Sequence, residues 1–265
     1  MSFQPILPLD GYAGWRFLSS SLQGQTERFS RNPVQQRDME YFRENIGKIT
    51  RADDLVSDYR LLRVALGAYG LQDDLRNRAF IGKVLADGVT DDSALSNRLA
   101  DKRYREFSEA FGFGSDLAPR TQSAGFADKI LGRFERQEFE RAVGTRNEDM
   151  RLALNTQREL ADIAARGQAD TTAWLTILGN PPLRKVFETA FGLPESVGSL
   201  DLDRQLEIFR TGADRAFGSS EFMQFTDPDK VETLIRDFTI RAQIGNGPSP
   251  FTPGATALIL LQPLV

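Results

Sequence analysis

Apolar residues recur along this chain at spacings of three and four, the pattern of helices with one buried face. The clearest instance is 63–70, Arg-Val-Ala-Leu-Gly-Ala-Tyr-Gly, which returns at 105–112 and 185–192 as base, four residues, Ala, aromatic, Gly. Leu62, Ala65 and Tyr69 share one helical face, as do Tyr104, Phe107 and Phe111, and Leu183, Phe187 and Phe191. The closing glycine suits the left-handed residue just past a helix end, and the apolar residue after it (Leu71, Phe113 or Leu193) can fold back on the last turn. A weaker copy at 211–218 keeps only Ala216, Phe217 and Gly218. Successive glycines lie 42, 80 and 26 residues apart, too irregular for a solenoid.

Around these copies the pattern predicts further helices. Residues 1–14 read as an extended apolar arm, with two prolines and two glycines among Phe3, Ile6, Leu7, Leu9 and Tyr12. Helices follow at 15–25 and after Asn32-Pro33, where Asn caps and Pro suits the first helical position. Thr50 and Asp53 have capping-box spacing, which predicts one helix from Ala52 to Gly70. Asp73-Asp74 and Asp91-Asp92-Ser93 read as helix starts, with a stop at Asp87-Gly88. Residues 114–125 are the candidate linker. Later helices are expected from Phe126 to beyond Val143, after Asn147, around Trp174, after Asn180-Pro181, over 201–211, and from Asp227-Pro228 to about Ala242. From Gly245, glycines and prolines interrupt regular structure before an apolar strip at 257–265.

No segment alternates as a strand would. The predicted fold is all-α, an irregular helical array built from two similar halves, 15–113 and 126–244, with extended apolar termini at 1–14 and 245–265.

Composition narrows the chemistry. The 33 basic and 37 acidic residues give a net charge of −4 without a basic cluster, which argues against a nucleic-acid surface. There is no cysteine and no histidine. Ser-His-Asp and Cys-His machinery, disulfides, and thiolate- or imidazole-ligated metals are therefore excluded. The N-terminus lacks the charged and apolar regions of a cleavable signal, and 257–261 is far too short for a membrane span of about 20 residues. A soluble protein without cofactor or metal is expected.

The remaining candidates are carboxylates. Asp53-Asp54, Asp73-Asp74 and Asp91-Asp92 stand at expected helix starts, where capping and the helix dipole account for them. Segment 87–92 lacks the alternating ligands and closing Glu of a calcium loop, and Gly112-Phe113-Gly114 is too little for a nucleotide loop. Arg28, Arg31, Arg37 and Arg43 alternate with acids, as on a solvated helix face. The bases Arg63, Arg105 and Lys185 suit salt bridges within each copy, and Trp15 and Trp174 suit core anchors. The apolar ends, with Phe3, Ile6, Leu7, Leu258, Ile259 and Leu261, either seal the body or bind a protein partner.

Several separated motifs carry a family likeness. They are Asp58-Tyr59-Arg60-Leu61-Leu62, Asp101-Lys102-Arg103-Tyr104, Gln137-Glu138-Phe139-Glu140 with Ala142-Val143-Gly144, Arg151-Leu152-Ala153-Leu154, Ala190-Phe191-Gly192-Leu193-Pro194 and Asp203-Arg204-Gln205-Leu206. Over roughly 15–244 the chain resembles an uncharacterised alphaproteobacterial family, a domain of unknown function whose genes tend to lie among flagellar genes. The resemblance implies a flagellum-associated interaction or assembly protein rather than an enzyme, either cytoplasmic or exported through the flagellar apparatus without a cleaved signal. It supplies no catalytic residues. Flagellar axial subunits end in heptad-patterned helices, whereas this C-terminus is rich in Pro and Gly, which favours an accessory role. Two other readings stand beside it: a small-molecule-binding helical module, which needs an apolar pocket, and a carboxylate-only enzyme, which needs two of the paired aspartates in one cleft.

Overall fold

Four short polar side chains set helix starts as their positions predict. Asn32 accepts a hydrogen bond from the Val34 amide at 3.0 Å, Asn147 from Met150 at 3.0 Å, Asn180 from Leu183 at 3.2 Å and Asp201 from Arg204 at 2.9 Å. The computed structural model describes residues 3–114 and 118–246. Among these it contains thirteen α-helices and no strand: α1 (Gly11–Phe29), α2 (Pro33–Asn45), α3 (Ala52–Ser57), α4 (Tyr59–Gly67), α5 (Arg78–Asp87), α6 (Leu95–Arg98), α7 (Arg103–Phe111), α8 (Phe126–Gly144), α9 (Glu148–Ala165), α10 (Asp170–Leu178), α11 (Pro181–Phe191), α12 (Leu202–Phe217) and α13 (Pro228–Asn246). The fold is all-α.

The glycine stops are built as their spacing predicts. Gly70, Gly112, Gly192 and Gly218 all have positive φ, between 66° and 80°. Leu71 and Leu193 each donate a backbone hydrogen bond five residues back, to Leu66 and Glu188, which closes the helix end. A cation sits at each stop, drawn to the carbonyl end of the helix dipole. Arg103 donates to the Gly70 carbonyl at 2.7 Å and Lys230 to the Phe217 carbonyl at 2.8 Å. Arg120 lies over Gly112 and the Arg241 guanidinium over Gly192, in space that a side chain at either glycine would enter.

Several elements depart from expectation. The helix expected from Ala52 to Gly70 breaks at Asp58, whose carboxylate accepts from the Arg60 and Leu61 amides and starts α4 afresh. No side-chain cap forms at the start of α3, so Thr50 and Asp53 do not make the expected box. Asp73-Asp74 opens only a 3-10 turn, Gln72–Arg76, and Asp91 anchors a turn by accepting from the Ser93 amide. The weak fourth copy is the end of α12 rather than a separate helix. Helix α1 starts at Gly11, inside the expected arm, and α13 runs through Gly245 to Asn246. The linker 114–125 is ordered where described: Thr121 donates to the Ile49 carbonyl at 2.6 Å, and Gly114 packs directly on the Gly88 backbone.

The interior forms two apolar clusters. The first, from Met39 to Phe134, gathers α2 to α5, α7 and the first half of α8 around Phe42, Leu62, Phe107 and Phe111. The second gathers α9 to α13 around Trp174, Phe187, Phe209 and Phe238. Helix α1 belongs to the second cluster through Trp15, Leu18 and Phe29, although it precedes the whole of the first in sequence. Helix α8 serves both, with Phe126, Ile130, Leu131 and Phe134 in one and Phe139 and Val143 in the other.

The N-terminal arm docks on this second cluster. Gln25 clamps Ile6, accepting from its amide at 2.7 Å and donating to its carbonyl at 3.2 Å. Arg146 donates to the Pro5 carbonyl and Asn147 to the Asp10 carboxylate. Phe3 and Leu7 pack against the cluster, while Ile6 is 46% and Leu9 53% exposed. Leu258, Ile259 and Leu261 lie outside the described residues.

Candidate functional site

Where the two clusters meet, their surfaces enclose a cleft of about 1130 Å³. One wall is the end of α4 with its Gly70 stop, the start of α7 and one face of α8; the other is α9, α11 and the last turns of α13. Arg133, Gln137, Arg141 and Gly144 recur at helical spacing on α8, and Glu148, Arg151, Asn155 and Glu159 do so on α9. The two helices thus present facing polar stripes. The cleft is charged, with both signs on its walls.

Most of the charges are tied to neighbours. Arg103 pairs with Asp101 at 2.7 Å, Arg141 with Glu138 at 2.8 Å, and Arg151 with Glu148. Arg166 pairs with Glu106 at 2.8 Å, and Arg133 reaches Glu106 at 3.9 Å and Asp162 at 3.7 Å. The Arg133 guanidinium also stacks over the Tyr69 ring, 4.7 Å from its centroid. Burial pushes the Tyr69 hydroxyl's pKa upward, and the nearby Arg133 charge only partly opposes it. Tyr69 is therefore a neutral phenol, unsuited to act as a base. Its hydroxyl and the Asn155 Oδ1 are buried without a hydrogen-bond partner among the described residues.

Arg158 of α9 bonds Glu140 of α8 through its Nε and Nη2, at 2.8 and 3.1 Å, and bonds Glu159 through Nη1. All three are nearly buried. Burial by itself disfavours the guanidinium charge, but the two carboxylates outweigh it and hold the pKa of Arg158 raised.

The carboxylate pairs of the sequence do not converge. Asp73 alone of the six lines the cleft. Asp74 accepts from Asn77 and from the Tyr104 hydroxyl, and Asp53 pairs with Arg51. Asp91, held by the Ser93 amide, stays below the usual carboxylate range. Among the described residues no group of three or more His, Cys, Asp or Glu is placed to hold a metal, and no helix is long and apolar enough to cross a membrane.

Arg63 pairs with Asp38 of α2, outside its own copy of the motif, and Arg105 donates to Asn97 at 3.0 Å. Lys185 lines the cleft. Trp15 and Trp174 are fully buried, donating to Glu232 at 2.9 Å and to the Ser220 carbonyl at 3.0 Å. The polar stripes of α8 and α9 were the sequence signal for the cleft, legible only once the two helices are known to pack together.

The sequence matches the model of one family, Protein of unknown function (DUF1217), over residues 68–231. The fold is similar to the crystal structure of a protein from Agrobacterium tumefaciens solved as a structural-genomics target. That similarity has a TM-score of 0.74 and 30% identity, and covers 92% of this chain and 100% of the other. No curated protein matches the chain.

Proposed function

We propose, for a chain that belongs to the DUF1217 family of proteins of unknown function, a non-enzymatic role as a flagellum-associated interaction or assembly protein. In this reading the cleft between the two clusters receives a partner's polypeptide segment. The observation that carries it is the chemistry of the cleft walls, where arginines are already paired with aspartate or glutamate along each wall. Such paired polar surfaces orient and select a partner rather than drive proton transfer. The flagellar part rests on the gene neighbourhood that the family resemblance implies, and it is compatible with a cytoplasmic protein or one exported without a cleaved signal.

The test joins genetics to purification. Deletion of the gene is expected to impair motility, and the tagged protein to co-purify with a flagellar component. Arg133→Glu or Lys185→Glu is expected to weaken that co-purification without loss of helical content by circular dichroism. Normal motility together with no flagellar protein in the purified fraction would sink the reading.

A small-molecule-binding module is the second reading, favoured by the buried and unpartnered Tyr69 hydroxyl and Asn155 Oδ1 beside the cleft. It predicts a ligand whose stabilising effect on the protein is lost in Asn155→Ala.

A further inference from the structure

We propose that a second groove, between α1, α8 and α9, is the docking site for this chain's own apolar segment 257–261. The groove encloses about 340 Å³ and offers an almost wholly apolar surface. Its floor is Leu22, Phe139 and Leu154, and Gln23, Glu27 and Arg136 stand at its rim. An apolar hollow framed by polar residues takes an apolar occupant. Segment 257–261 reads Ala-Leu-Ile-Leu-Leu, and no charged side chain occurs between 245 and 265. The charged central cleft is a poor match for such a segment, because each would leave the other's groups unmatched. The apolar groove matches it in kind.

Reach is satisfied as well. Helix α13 ends beside the first turn of α1, where the Gln243 side chain fills the space over Gly11. From Gly11 to the level of the groove at 22–27 is roughly 17–24 Å along α1. Ten residues, 247–256, connect α13 to the apolar segment, and a chain of that length spans up to about 33 Å. The groove therefore lies within the tether's range, on the molecule from which the tether departs. This inference does not depend on the flagellar reading.

The absence of native cysteine makes the test free of background. Full-length chains carrying Ile259→Cys with either Thr26→Cys or Gln157→Cys, both at the groove, are oxidised with diamide at low protein concentration. Disulfides are read by non-reducing electrophoresis and mass spectrometry. A third chain pairs Ile259→Cys with Thr172→Cys on α10, away from the groove, and measures the rate due to tethering alone. At least one groove pair is expected to close within the monomer about tenfold faster than this control. Equal rates at groove and control, or no disulfide at either groove position, overturn the proposal. A disulfide-linked dimer also overturns it, by assigning the groove to the segment of a second copy.

Discussion

Gly67 and Gly132 differ in what an added methyl group would meet. A Cβ at Gly67 would stand 2.8 Å from two ring atoms of Phe134, whose ring is 1% exposed and has nowhere to turn. At Gly132 nothing lies within 4 Å. Gly67→Ala is therefore expected to destabilise by about 1–3 kcal/mol through overpacking, and Gly132→Ala to stabilise by about 0.5–1 kcal/mol through helix propensity. Urea midpoints measure both, and shifts of the same sign would contradict the packing. A second residue-scale expectation concerns Glu232. Burial alone would raise its pKa, but Trp15, Tyr12 and Arg16 donate to its carboxylate and hold it below the usual 4.5. A carboxylate lowered in the folded state stabilises above its unfolded pKa, and that contribution is lost as pH falls through the folded value. Glu232→Gln should thus lower stability at neutral pH and cost progressively less in acid. A stability difference that stays constant down to about pH 3 would count against this linkage.

Helices with local instructions were legible in the sequence. Asn32-Pro33, Asn147, Asn180-Pro181 and the four glycine stops each act within a few residues of themselves, so no tertiary knowledge was needed. The break at Asp58 was not legible, because the apolar pattern continues through it and only the tertiary path makes the second cap preferable to one long helix. The partner of Arg63 was missed for a related reason: Asp38 comes from a different helix, beyond any motif spacing. The cleft depends on faces contributed by distant helices, and the pairing of Glu140 with Arg158 joins α8 to α9. This last contact supplies the prediction at this scale. Arg158→Met leaves two carboxylates buried without their cation and is expected to cost about 3–5 kcal/mol. Glu140→Gln leaves Arg158 with Glu159 and should cost clearly less. Thermal or urea denaturation of the two variants ranks them, and the reverse order would refute the proposed charge balance.

At the scale of the molecule, α8 decides whether the two clusters act separately. Its first half is core for one and its second half for the other, so neither can lose its packing without fraying a helix that the other needs. Both tryptophans lie in the second cluster, whereas helical circular dichroism reports on the whole chain. The two signals are expected to trace a single coincident urea transition. A dichroism midpoint displaced from the fluorescence midpoint would show that the clusters unfold apart.

The bond between Trp15 and Glu232 also has a consequence during protein synthesis. Its two residues are 217 positions apart, and α1 leaves the ribosome well before α13. At typical elongation rates Trp15 and Leu18 wait roughly 10–40 s for α13 to emerge, while the first cluster can already assemble. In the cell, α1 therefore stays exposed to chaperones and proteases until the completion of α13 covers it.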